Sequence, residues 1–296
     1  MSRTKCGDPT SIGFTGQGTD RPAEYTHRGS PRYDITPRPL SSYPCFVFDL
    51  DGTLWLDEHV LTGAHQLFRS LTRHGHKILV YTNNTRHSHN EVHSKLQRLG
   101  LGLAANCIYT GSSLLGRALN RYGIQETFVV GTSSLKCEIQ RSGVLVLDDP
   151  KVPIDVLTIG LETGFDDSSL ANIVRIANQD TLIFCGNRDR DFPTSTGPKI
   201  GSGRIVAQIE SALGSRHITV IGKPSVFGIQ ALAQDHHLQP RDIMFIGDNY
   251  DSDIAMAKEY GCDSLFVAPP TPGRTPLPTT TLIAIIERLE HSHEST

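Results

Sequence analysis

Apolar residues along this chain fall into short unbroken runs, and each run ends in a cluster of polar or acidic residues. Cys45 to Phe48 leads into Asp49 and Asp51, and the run KILVY leads into Thr82, Asn83 and Asn84. Further on, ITVIG leads into Lys223 and Pro224, and DIMFIG leads into Asp248. Continuous rather than alternating apolar character predicts parallel strands buried on both faces. From Pro44 to about Tyr122 such runs alternate with stretches of helical period, ending in a helix over Ser112 to Arg121, which is the βαβ rhythm of an α/β fold. A second set of strands follows at TFVVG (127–131), VLVL (144–147), VLTIG (156–160) and TLIFC (181–185). The first set is expected to resume at Ile218, with helices around 226–236, from Ile254 and over 281–290, and strands at DIMFIG and SLFVA. Ligand sites of open α/β sheets lie at the carboxyl ends of the strands, so four strands are expected to bring Asp49, Thr82, Lys223 and Asp248 to one edge.

Composition narrows the class without naming a chemistry. The 296 residues leave room for two domains, and 38% hydrophobic with 20% charged residues is an ordinary globular balance. A formal net charge of -3 offers no general attraction to nucleic acid, and no apolar stretch reaches membrane-spanning length. The six cysteines are scattered singly with no CxxC pair, which reads as reduced thiols in a cytoplasmic protein. Residues 1–43 are rich in Gly, Pro, Ser, Thr and Arg and are expected to be a disordered tail. Its acidic residues Asp8, Asp20, Glu24 and Asp34 speak against a transit peptide.

The residue types at the four strand ends suit a phosphomonoester. A carboxylate such as Asp49 can attack phosphorus and carry the phosphoryl group. It would repel its dianionic target, so a hard cation held by Asp49 and Asp248 is needed to neutralise the field, and magnesium fits such sparse carboxylate ligation. Lys223 supplies a fixed positive charge, while Thr82 and Asn83 supply hydrogen bonds. Asp51 can protonate the departing alkoxide and later deprotonate water. Gly52 permits a sharp turn beside it.

Asp49 to Thr53 (DLDGT), Thr82 to Asn84 (TNN), Gly222 to Pro224 (GKP) and Gly247 to Asp253 (GDNYDSD) resemble, in order and spacing, the four motifs of the haloacid dehalogenase superfamily. The similarity is greatest to its NagD-like and 4-nitrophenylphosphatase-like subgroup, and it runs from about Tyr43 to the C-terminus. The segments at 164–170, 187–194 and 201–203 look like that subgroup's cap landmarks. The resemblance implies a Rossmann-like core with a parallel sheet, over 44–122 and 217–296, and an inserted α/β C2-type cap over 123–216. It also implies Asp49 as nucleophile and Asp51 as acid/base. Mg2+ would be held by the Asp49 side chain, the Asp51 carbonyl and Asp248, with Asp253 in support. Thr82, Asn83, Asn84 and Lys223 would lie on the phosphate, and Asn187 and Asp189 on a cap loop facing a small phosphorylated metabolite. Relatives often pair through this cap, so a homodimer is a further implication. The loop NRDRDFP is unusually charged, so Arg188 and Arg190 suggest a polar or anionic leaving group. The run from Ala268 to Gly273 departs from the small-residue loop usual after the fourth motif.

Plainer readings compete at several of these positions. Asp251 and Asp253 could simply cap a helix, and Lys223 alone could be a solvated charge at a strand end. His87, His89 and His93 hint at a metal site, yet no acidic partner completes the pattern, and a solvated face is expected. Gly201-Ser202-Gly203 reads as a cap turn. The reading these residues support is a magnesium-dependent phosphatase. A phosphotransferase or a dehalogenase of the same superfamily, and a non-catalytic binding protein of the same fold, are the alternatives. Asp51 disfavours dehalogenation, and the intact set of Asp49, Asp51, Lys223 and Asp248 disfavours a protein without turnover.

Overall fold

Alternation of buried side chains along the central strand sets the first layer of the molecule. In a computed structural model, which describes residues 38–149, 153–214, 217–267 and 281–294, strand β1 (Cys45–Phe48) is buried along its whole length. Cys45 and Val47 point into one hydrophobic cluster, Phe46 and Phe48 into another on the opposite face. Such a strand must be covered by helices on both sides.

The elements follow in chain order. After β1 come the short hairpin strands β2 (Trp55–Leu56) and β3 (His59–Val60), then α1 (Ala64–Arg73), β4 (Lys77–Thr82), α2 (His89–Arg98), β5 (Ile108–Thr110) and α3 (Gly111–Arg121). The middle of the chain forms β6 (Glu126–Val130), α4 (Ser133–Arg141), β7 (Leu145–Leu147), β8 (Ile154–Ile159), α5 (Asp167–Ile176) and β9 (Ala177–Cys185). It continues through β10 (Asp191–Phe192), β11 (Lys199–Ile200), α6 (Ser202–Leu213) and β12 (Ile218–Val220). Last are α7 (Phe227–Asp235), β13 (Ile243–Gly247), a π-helical turn at Tyr250–Ile254 leading into α8 (Ala255–Tyr260), β14 (Asp263–Phe266) and α9 (Leu282–Glu294).

Two parallel five-stranded sheets result, ordered β14-β13-β1-β4-β5 and β12-β9-β8-β6-β7. The cluster on the Val47 side includes Leu114, Leu115 and Leu119 of α3 and reaches Val156 and Phe184 of the second sheet. Apolar packing therefore links the two layers continuously. No described helix is long and apolar enough to cross a membrane.

Two expectations change. The run 218–220 was expected in the first sheet, but it pairs in parallel with β9, Ile218 opposite Ile183 and Val220 opposite Cys185. Ile218 buries with Ile183 and Ile205, so the apolar partners of this run lie in the second layer. The disordered tail expected over 1–43 also ends earlier. Residues 1–37 lie outside the described part, but Leu40 and Tyr43 are buried in the cluster that holds Phe46 and Leu289, and the Tyr43 hydroxyl donates to Asp263 Oδ2 at 2.7 Å. Two apolar side chains among prolines and serines are a weak signal on their own; the surface presented by α9 gives them a place to bury. The rim segment 268–273 also lies outside the described residues.

Candidate active site

The ladder of the first sheet carries the catalytic candidates to its edge. Asp49 N donates to Ile246 O at 2.8 Å, so β1 and β13 stay paired until their acidic residues emerge together. Gly52, at φ +95, turns the chain immediately afterwards, and a Cβ there would collide with the Asp248 carboxylate. Glycine is thus required both by the backbone angle and by the approach of Asp248. Thr53 Oγ1 donates to Asp248 Oδ1 at 3.0 Å.

Lys223 arrives from the second sheet. Ile221 N and Gly222 N donate to Cys185 O and Gly186 O at 3.0 and 2.6 Å, extending the β12 to β9 ladder up to the lysine. Its ammonium, 2% exposed, hydrogen-bonds Asp49 Oδ1 and lies 2.6 Å from Asp253 Oδ1. It also donates to Tyr81 O at 3.2 Å and sits 5.2 and 5.6 Å from the ring centroids of Tyr81 and Phe245. The expected edge forms, but from two sheets rather than one.

Electrostatics at this edge are dominated by an excess of carboxylate. Asp49, Asp248 and Asp253 each offer an oxygen within 4.8 Å of the others, and Lys223 pairs with two of them, Asp49 and Asp253. Burial pushes the Asp49 carboxyl well above its ordinary range against the pull of Lys223, with Asp253 and Asp248 adding to the rise. Burial first, and Asp253 next, push Asp248 up to about 7. Burial alone would depress the Lys223 ammonium, but Asp253 and Asp49 outweigh it and hold the group above the usual lysine range. Three converging, desolvated carboxylates with a single cation are an unbalanced set that a hard divalent ion would complete. These residues fit the magnesium expected from the sequence.

Around this centre lies a cleft of about 730 Å³ whose lining includes Asp49, Asp51, Thr82, Asn83, Asn84, Asn187, Asp189, Lys223, Asp248 and Asp253. Their hydrogen bonds divide them by task. Thr82 Oγ1 accepts from Asn84 N at 3.1 Å, which leaves its own proton to give. Asn84 Oδ1 accepts from the amides of Arg86 and His87 at 2.9 and 3.0 Å, so its amide group remains for a ligand. Asp51 Oδ1 accepts from the Trp55 indole at 2.7 Å.

Asn83, expected on the phosphate, and Asn187, expected to face the metabolite, both line the cleft with their polar atoms engaged by the chain. Asn83 Nδ2 donates to Asp189 Oδ2 at 2.9 Å and Lys223 O at 3.0 Å, and its Oδ1 accepts from Lys223 N at 2.8 Å. Asn187 Nδ2 donates to Asn83 O at 2.8 Å, and its Oδ1 accepts from Ser202 Oγ and Asp189 N. Together with Asp189, whose carboxyl is raised by burial, they staple β4 to the loop after β9 and to Lys223. Asp253 differs from a simple helix cap as well: it is 1% exposed, accepts from Asn249 N at 3.0 Å and faces Lys223.

The charged cap loop does not aim its arginines at the cleft. Arg188 forms a two-pronged pair with Glu210 of α6 at 2.9 and 3.1 Å, and neither Arg188 nor Arg190 lines the cavity. Their placement gives the leaving-group reading built on them no support. His89 and His93 lie against the carbonyls of Ala105 and Leu103 rather than each other. His87 instead lines the cleft half-buried, its pKa lowered chiefly by burial. Trp55, Glu58, Lys95 and Phe192 line it too and were not anticipated. For Trp55 a signal existed: the indole follows Asp51 by four residues across a glycine turn.

Comparison with known proteins agrees with this geometry. Residues 46–145 match the family model "haloacid dehalogenase-like hydrolase", and residues 220–276 match the related model "HAD-hyrolase-like". The chain is 31% identical over 222 residues to the sugar-phosphatase AraL of Bacillus subtilis, covering 75% of this chain and 81% of that protein. It is 29% identical over 226 residues to chronophin of Mus musculus, covering 73% and 77% respectively. The structure superposes on a p-nitrophenyl phosphatase from Archaeoglobus fulgidus with a TM-score of 0.74 and 21% identity, over 83% of this chain and 99% of that one. With four motifs converging on one carboxylate-rich edge and these relatives in hand, the chain belongs to the haloacid dehalogenase-like hydrolases.

Proposed function

We propose that this chain hydrolyses a small phosphomonoester through an aspartyl phosphate formed on Asp49. The observation that carries this reading is the cluster of Asp49, Asp248 and Asp253, with the buried Lys223 paired to Asp49 and Asp253. One Asp49 oxygen is held by Lys223, and the other is left to attack phosphorus as the bond to the leaving alkoxide breaks. Asp51 hands its proton to that alkoxide. It then takes a proton from water, whose oxygen attacks the phosphorus and releases Asp49 and inorganic phosphate. Thr82 and Asn84 have hydrogen-bond donors left over to hold phosphate oxygens. Mg2+, held by the carboxylates of Asp49, Asp248 and Asp253 together with the Asp51 carbonyl, would offset the charge between nucleophile and dianion.

The far end of the cleft supports a small hydroxylated leaving group such as a sugar or polyol. Trp55, Leu161, Phe192 and Pro193 give it apolar walls, while Glu58 pairs with Lys95 and Arg98, and Asp191 with Arg204. Arg86 and His87 remain to meet polar groups of the ligand. The AraL relative is named for sugar phosphates, in line with this reading. The five described cysteines are all free thiols, which suits a reducing, cytoplasmic setting. The test is phosphate release from sugar phosphates, glycerol phosphate, phosphoglycolate, pyridoxal phosphate and 4-nitrophenyl phosphate, with Mg2+ or EDTA. Magnesium-dependent turnover that disappears in Asp49→Asn is the expected result.

A further inference from the structure

The acid/base carboxylate does not stand alone. Asp51 immediately precedes the turn at Gly52 and has nothing in the strand ladder to fix its side chain. Its one hydrogen bond among the described residues comes from Trp55, whose Nε1 lies 2.7 Å from Asp51 Oδ1. The indole is only 2% exposed and belongs to the cluster of Phe48 and Leu54, so its N–H must find an acceptor inside the fold. An indole nitrogen can only donate, and Asp51 is the acceptor it meets.

Backbone contacts hold the pair in register. Trp55 N donates to Leu50 O at 3.2 Å and Gly52 N donates to Trp55 O at 2.8 Å, closing the turn that contains Asp51. The β2–β3 hairpin reverses at Asp57, a non-glycine residue at φ +51. It is gripped on both sides, by Lys95 and Arg98 on Glu58, and by the amide and hydroxyl of Ser195 donating to Asp57 Oδ2 at 2.9 and 2.6 Å. Lys95 Nζ lies 4.3 Å from the centre of the indole ring. A cation over that face draws electron density from the ring and strengthens the N–H as a donor.

We infer that Trp55 is a positioning residue for catalysis: its indole N–H holds one oxygen of Asp51 so that the other faces the leaving group. This rests on the proposed phosphatase chemistry with Asp51 as the acid. Its consequence is selective. A leaving alkoxide needs a proton as its bond to phosphorus breaks, whereas 4-nitrophenolate departs as a stable anion without one. Loosening Asp51 should therefore slow alkyl esters and spare the nitrophenyl ester, a pattern that general damage to the fold does not produce.

Two measurements test this. Trp55→Phe keeps the ring and removes the donor; kcat/KM for glycerol phosphate is expected to fall by about tenfold or more and that for 4-nitrophenyl phosphate by about twofold or less. Equal losses on both esters, or no loss on either, would overturn the inference. The second measurement does not depend on that variant folding. The chain has a single tryptophan, so 15N-indole labelling gives one N–H resonance. It is expected downfield and slow to exchange in the wild type, moving upfield with faster exchange in Asp51→Ala. An unmoved resonance contradicts the hydrogen bond. If the wild-type chain turns over neither ester, the phosphatase reading has failed, and the resonance alone decides whether Trp55 holds Asp51.

Discussion

The two ends of the cleft are built on different physics. At the phosphate end Asp49, Lys223 and Asp253 are 7%, 2% and 1% exposed, each fixed by a ladder or by the others. At the leaving-group end Glu58, Arg86 and Arg98 are exposed, and the ion pairs there form between surface side chains. Charges buried in low dielectric interact strongly and cannot be exchanged singly, whereas solvated pairs contribute little and can vary. The dry end thus suits chemistry that must stay fixed, and the wet end suits a choice of leaving group that can differ between relatives of one fold.

The sharpest way to break the comparison is at the dry end. Asp49→Asn is expected to lower turnover by at least about a thousandfold while the fold persists, because the nucleophile is lost but one excess charge is also removed. Steady-state phosphate release and circular dichroism check both parts. Lys223→Met removes the cation paired with the buried carboxylates of Asp49 and Asp253, and unfolding in urea with EDTA is expected to show a loss of about 3–5 kcal/mol. Added Mg2+ should restore more stability to that variant than it adds to the wild type. Asn83→Ala leaves Lys223 N and Asp189 without their partner, at a cost of about 1–3 kcal/mol in the same experiment.

At the wet end the expected effects shrink. Arg188→Ala, which breaks only the exposed pair with Glu210, should change stability by less than about 1 kcal/mol and leave the order of preferred substrates unaltered. A change in that order would show that the arginine reaches the leaving group after all. Away from the cleft, His76 lies with His293 at an Nε2 to Nε2 distance of 3.0 Å, and its Nδ1 bonds Tyr43 O. Burial lowers its pKa below the ordinary 6.5, against the hydrogen bond to Tyr43. The neutral form is thus favoured when folded, so its contribution is present above that ordinary value and is lost as pH falls from there through the lowered value of the folded state. Thermal melts from about pH 8 to about pH 5 should show a decline in wild type that is smaller in His76→Gln.

How much could be read from the chain follows the same division. Asp49, Asp51, Lys223 and Asp248 were legible because each follows a short apolar run that reads as a buried parallel strand. The sheet membership of Ile218 to Val220 was not, since a buried parallel strand reads alike whichever layer it joins. Nor was the stapling role of Asn83, whose partners Asp189 and Lys223 lie more than a hundred residues away and become neighbours only when both sheets form. The direction of Arg188 was not legible for a related reason. A charge in a loop signals exposure but not direction, and Glu210 on α6 sets its direction here. Leu40 and Tyr43 were hidden by the proline- and serine-rich segment around them, although α9 offered them a surface.

The most direct test of the central claim is the mass of the enzyme acid-quenched during turnover of 4-nitrophenyl phosphate with Mg2+, followed by peptide mapping. A fraction heavier by one phosphoryl group, located on the peptide containing Asp49 and absent in Asp49→Asn, is the expected result. Rapid turnover with no phosphorylated enzyme at any quench time, or the phosphoryl group on another residue, would contradict Asp49 as the nucleophile.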